Sequence, residues 1–206
     1  MTINKDNPIF SRNVVDFVTI ALEYCTFLEK GSELTPRDFT SALLRLLPVT
    51  YVKCSMLPPI ESEEDNPLED FVTEDIYSFI EDKISTKLGV NNPACEVPET
   101  VSQSEETTTA QLSEILTDIY QDLKNFVMSY KTGEENIMLE SVYQCKLNFE
   151  QFWGARLVSA QPAIHKLVYG ETDWDIIKKT TKDSSEDADS SQWIITKRQQ
   201  EWGYGF

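Results

Sequence analysis

The chain contains one histidine, His165. Any His-centred triad or zinc site would have to be built on it, and metal sites normally draw on several such ligands. There is no CxxC pair, no GxSxG, no HExxH and no glycine-rich loop to cradle a phosphate. A carboxylate di-metal bundle needs a Glu-x-x-His pair on each of two helices, which one histidine excludes. DADSS, residues 187–191, resembles the start of a calcium loop. The pattern fails at Gln192, where glycine is required, and at Arg198, where glutamate is required. No catalytic residue, metal or cofactor is therefore expected.

Basic residues are also scarce, 18 against 35 acids, for a net charge of −17. A nucleic-acid binder needs clustered Lys and Arg to displace counterions from phosphates. Neither nucleic acid nor an anionic membrane is an expected partner. No run of eighteen apolar residues occurs. The best candidate, VVDFVTIALEYCTFL, is broken by Asp16 and Glu23. The opening MTINKDNPIF lacks a basic end followed by an apolar run, so no secretory signal is expected. The cysteines Cys25, Cys54, Cys95 and Cys145 are far apart, and three lie in apolar helical patterns. That usage predicts a reducing, cytoplasmic location.

Glycine is scarce too, at seven residues. Gly31, Gly89, Gly133 and Gly170 each follow a helical run, where a C-terminal cap favours glycine. With leucine-, glutamate- and lysine-rich runs between them, the expected fold is all-α. It is a single-domain bundle of six to eight helices around a central one, over residues 1–180. An acidic linker and aromatic tail follow at 181–206.

The first helix reads as 9–29, with Val14, Phe17, Val18, Ala21, Leu22, Cys25 and Leu28 in one stripe. The second opens at Thr35 and Pro36, with Asp38 at the positive end of its dipole. Pro48 is expected to kink or end it, with TYVKCSML on a new axis. The third reads as 67–88, capped at Asn66 and Pro67. VNNPACEVPETVSQSEETTT, with Pro93 and Pro98, reads as a loop, and little or no sheet is expected. In the fourth helix Leu112, Ile115, Leu116, Ile119, Leu123, Phe126, Val127 and Tyr130 form one face. Glu114, Asp118 and Asp122 form a separate stripe. It reads as a solvated outer face or, alternatively, as a surface for a cation or basic partner.

The fifth helix, 134–160, is apolar on more than one side and is expected at the centre. Gly154 within it predicts close approach by another helix, and Pro162 a reset of the axis. Asn148, Glu150, Trp153 and Arg156 are polar or amphipathic groups on this apolar element, and His165 follows. Lys146 and Glu150 are a turn apart, within reach of an ion pair. A buried Arg156 would require a carboxylate. The group reads either as an internal network fixing helix register or as a polar pocket for a small anion.

CKLNFEQFWGARLVSAQPAIHKL, the opening NPIFSRNVVDFVTIALEYCTFLE and RDFTSALLRLLPVTYVKCSMLP also resemble an uncharacterised, largely helical family of Bacteroides-type bacteria, domain-of-unknown-function family five thousand and sixty-three. The resemblance spans about Asn7 to Tyr169. It implies a cytoplasmic helical domain and carries no activity, cofactor or partner with it.

Three functional readings follow. The first is a non-enzymatic protein acting through protein–protein interaction, its partner another protein or a second copy of itself. The second is a small-anion binder or enzyme with a pocket at Arg156, Trp153 and His165. The third, on charge alone, is an acidic mimic of nucleic acid. The tail EWGYGF bears on the first. Trp202, Tyr204 and Phe206 present much apolar surface if left free, and ordering two glycines opposes docking on the body. Trp193, Ile194 and Trp202 are expected to dock on the body and the final GYGF to be ordered chiefly on a partner or another copy, with Trp202, Tyr204 and Phe206 the candidate partner-binding residues.

Overall fold

A computed structural model describes residues 7–62, 68–98 and 107–174. By internal contacts the chain divides into units 1–172 and 173–206, and the fold below is that of the first. The linker and the aromatic tail, including Trp202, Tyr204 and Phe206, lie outside the described residues.

The elements are α1 (Arg12–Lys30), α2 (Pro36–Ser55), α3 (Glu74–Leu88), β1 (Ala94–Pro98), β2 (Thr107–Gln111), α4 (Leu112–Tyr130), α5 (Glu135–Asn148) and α6 (Gly154–Tyr169). A π-helical turn, Phe149–Trp153, joins α5 to α6 without a break. The described helices thus form five continuous runs, slightly fewer than the sequence suggested, in a mostly helical single domain.

Side-chain caps mark the starts of α2 and α3. Thr35 Oγ1 accepts from the Asp38 N–H at 3.2 Å, with Pro36 in the first turn, as expected. α3 begins later than predicted, at Thr73, whose hydroxyl accepts from the Ile76 N–H. The reason lies in another helix: Asn125 Oδ1 of α4 accepts from the Phe71 and Val72 N–H groups at 2.9 and 3.0 Å. Those donors are thereby held outside α3.

Two helices run through prolines expected to break them. α2 contains Pro48 and α6 contains Pro162. The Leu44 carbonyl, which Pro48 leaves without its backbone donor, accepts from Gln161 Nε2 of α6 at 3.1 Å.

The stretch read as a loop holds a small antiparallel hairpin. Ala94 faces Gln111, Cys95 faces Ala110 and Val97 faces Thr108. Cys95 and Val97 are buried while Ala94 and Glu96 are exposed, the alternation of a strand with one face on the core.

The centre of this unit is α4, not the fifth helix as the sequence suggested. None of the nineteen residues of α4 is exposed. Its apolar face is buried as expected, but Ser113, Thr117 and Ser129 are buried with it. Phe17 of α1 meets Phe126 at 5.1 Å, and the buried Tyr24 donates to the Leu116 carbonyl at 2.9 Å. Glu29 of α1 accepts from Tyr120 at 2.9 Å and Lys124 at 2.7 Å, tying α1 to the same helix. The α5–α6 run, by contrast, has Glu135, Asn136, Glu150, Gln151 and Val158 exposed. Its second apolar side, Leu139, Tyr143 and Leu147, is half-buried at the surface.

Candidate functional site

The polar residues predicted on the fifth helix meet the acidic stripe of the fourth. Asp118 and Asp122 are one turn apart on α4, facing α3 and the α5–α6 run. Asp118 Oδ1 accepts from the Tyr77 hydroxyl of α3 at 2.8 Å, and Oδ2 accepts from Arg156 Nη1 of α6 at 2.7 Å. The two charged side chains are only 12% and 14% exposed. The Arg156 guanidinium also lies over the Phe152 ring, 4.2 Å from its centroid. One turn along, Asp122 Oδ1 accepts from Asn148 Nδ2 at 2.5 Å, and Asn148 Oδ1 accepts from Gln144 Nε2 at 2.8 Å.

The stripe read as a solvated face is therefore largely internal. Buried Arg156 has the carboxylate it required. Burial raises the Asp118 pKa above the ordinary carboxylate value, opposed by the Tyr77 hydrogen bond and the Arg156 charge. Burial likewise pushes Asp122 up to about 6, with Asn148 opposing and the neighbouring Asp118 charge adding to it. Tyr77 is held protonated by burial and by its hydrogen bond to Asp118.

Trp153 is fully buried beside this seam, its ring 4.8 Å from that of Phe149. Two buried N–H donors here, Trp153 Nε1 and Arg156 Nε, have no protein partner. The π turn explains Gly154. A Cβ there would strike the Phe149 carbonyl and lie 2.8 Å from the Phe149 ring. The glycine accommodates its own turn, not another helix.

The remaining predicted residues lie elsewhere. His165 is exposed, with its ring 4.7 Å from that of Tyr169. It is nine residues from Arg156 on α6, half a turn out of phase, so the two do not share a pocket. Glu150 is exposed and lines a shallow, half-open groove of about 190 Å³ with Pro58, Pro59, Ile60, Tyr143 and Lys146. Lys146 does not pair with Glu150. It donates to the Leu57 carbonyl at 2.9 Å.

Sequence reasoning missed Tyr77 and gave Asp118 and Asp122 to solvent. One available signal was the energetic oddity of two acids a turn apart, which repel unless each has a partner. The other was the demand of Arg156 for a carboxylate. Chemically, both oxygens of Asp118 are engaged, so it does not stand as an open base. Among the described residues no group of three or more His, Cys, Asp or Glu could hold a metal ion. All four cysteines are unbridged and buried. Burial raises the Cys25 and Cys145 pKa values well above the ordinary thiol value, which keeps both as unreactive thiols.

This helical unit coincides with a known family. The model of a domain of unknown function, DUF5063, matches residues 8–170. The chain belongs to this family. A similar architecture is seen in the crystal structure of protein BF1032 from Bacteroides fragilis. That protein is 34% identical, with a TM-score of 0.71 over 80% of this chain and 98% of its own. No curated protein matches the chain. The DUF5063 match ends before the acidic linker and the aromatic tail. Among the described residues no helix is long and apolar enough to cross a membrane.

Proposed function

We propose that this DUF5063 protein acts without catalysis, through its surface, as a helical protein-interaction module in the cytoplasm. The observation that carries the reading is the Asp118–Arg156–Tyr77 cluster. In the strongest constellation of chemistry-bearing side chains both oxygens of Asp118 are engaged across three helices, and the paired side chains are only 12% and 14% exposed. Such a network specifies helix register. Surface Val15, Val52 and Met56 add to the support, being half-exposed apolar side chains on a strongly acidic protein. The cytoplasmic placement rests on four unbridged cysteines. The test is capture from native extract with the full chain as bait. A protein enriched over an unrelated acidic control supports the reading. It fails if nothing co-elutes, the chain does not self-associate, and a small anion raises the melting temperature.

The small-anion reading keeps one observation of its own: the unpartnered N–H groups of Trp153 and Arg156. A thermal-shift series with sulfate, phosphate and small carboxylates addresses it. Stabilisation abolished by Arg156→Met but not by His165→Ala would favour this second reading.

A further inference from the structure

Acidity is unevenly placed over the described residues. Glu61, Glu69, Asp70, Glu74 and Asp75, before and at the start of α3, are all exposed. α1 and α2 carry something different on their shared outer face. On α1, Arg12, Val15, Thr19, Leu22 and Glu23 are exposed, at the spacing of one helical face. On α2, Arg45, Pro48, Val49 and Val52 do the same, as does Met56 just past its end. Two contacts set the helices in register there: Lys53 pairs with Asp16 at 2.7 Å, and Asn13 Nδ2 donates to the Met56 carbonyl at 3.0 Å. The apolar side chains therefore form one patch across the seam. Val15 is 49%, Val49 42%, Val52 52% and Met56 46% exposed. With Asp16 and Lys53 included, the patch holds three bases and two acids on a chain of net charge −17.

We propose that this α1/α2 face is where a second copy of the chain docks, with two-fold symmetry. The inference rests on the interaction reading above and names its partner. Two molecules of this charge repel each other through their acidic surfaces, and this patch, apolar and mixed in sign, lets them meet without that repulsion. It is also self-complementary. A two-fold axis in the plane of the face and across the helices sets Arg12 of each copy against Glu23 of the other. An axis along the helices sets Glu23 against Arg45 of the other. In either arrangement Glu23 meets an arginine of the second copy. The face is about 17 Å long and two helices wide, small beside a standard interface of about 800 Å² per partner. The dimer is accordingly weak, forming above about 10 µM.

Sedimentation equilibrium of the full chain across that concentration range tests the proposal. The expected result is a monomer–dimer equilibrium that Val15→Glu/Val52→Glu shifts at least tenfold toward monomer, with an unchanged monomer melting temperature. Glu23→Arg provides the sharper arm. It lowers the net negative charge by two, so generic repulsion predicts stronger association. Docking of Glu23 against an arginine predicts weaker association. A wild-type chain that stays monomeric throughout overturns the proposal, as does a dimer indifferent to Val15→Glu/Val52→Glu or strengthened by Glu23→Arg. If the monomeric chain nevertheless captures another protein from extract, self-docking fails while the interaction reading stands.

Discussion

Gln161 of α6 supplies the hydrogen bond that Pro48 denies to Leu44. Its Nε2 donates to the Leu44 carbonyl at 3.1 Å, four residues before the proline, and α2 continues to Ser55. A proline inside a helix removes one backbone donor and opens the ladder, and a side chain from the next helix fills the gap. Replacing Gln161 by leucine removes that donor and should lower stability by about 1 kcal/mol. In a Pro48→Ala background the alanine N–H can bond Leu44 itself, so the same replacement should cost only a few tenths of that. Urea unfolding of the four proteins in a double-mutant cycle measures the difference. Equal losses in both backgrounds would show that Gln161 does not serve the proline gap.

The Arg156–Asp118 pair predicts an asymmetry. Arg156→Met leaves the Asp118 charge in a poorly solvated place, with only Tyr77 to bond it, and should cost about 3–5 kcal/mol. Arg156→Met combined with Asp118→Leu removes both charges and should recover most of that loss. Tyr77→Phe should cost about 1 kcal/mol. Denaturant unfolding at neutral pH is the measurement. An Arg156→Met variant within 1 kcal/mol of wild type would mean that the pair is solvated.

Much of this was legible locally. The stripe of α1, the Thr35–Pro36 start of α2 and the apolar face of α4 follow from caps and periodicity, which neighbouring residues set. What was not legible depended on distant partners. Ser113 and Thr117 read as polar, yet Ser113 Oγ donates to Glu81 at 2.7 Å and Thr117 Oγ1 to the Ser113 carbonyl at 2.8 Å, so both are buried without loss. That satisfaction lets α4 occupy the centre, while the surplus apolar side of α5 lines a surface groove. The late start of α3 depends on Asn125, and the continuity of α2 depends on Gln161. In the candidate site the need of Arg156 was readable. The identity of Asp118 as its partner was not, because helix packing decides that pairing.

Asp122 gives the fold a pH dependence of definite sign. Its pKa is raised from 3.8 to about 6, so between those values the folded state holds a proton that the unfolded chain releases. That contribution is fully present at the acidic end of the window and is lost as pH rises through about 6. Asp118 shifts in the same direction. Asp122→Asn should therefore stabilise the protein at pH 7.5 by about 1–3 kcal/mol. It should also flatten the stability profile between pH 4 and 6. Easing of the overall negative charge at low pH affects both proteins alike, so the informative quantity is the difference between variant and wild type. A difference independent of pH would place Asp122 in water.

Gly154 yields the opposite of the usual helix rule. At an exposed helical site Gly→Ala gains about 1 kcal/mol from propensity. Here the added Cβ meets the Phe149 carbonyl and, at 2.8 Å, the Phe149 ring. Phe149 is itself packed between Tyr51 at 5.0 Å and Trp153 at 4.8 Å. The ring cannot withdraw without disturbing the core, and the carbonyl is backbone. Gly154→Ala should thus destabilise by about 1–3 kcal/mol, as overpacking does, and should perturb the near-ultraviolet circular dichroism of Trp153. A stable Gly154→Ala protein with an unchanged Trp153 signal would show that the turn relaxes around the methyl group, and the π geometry would lose its claim to need glycine.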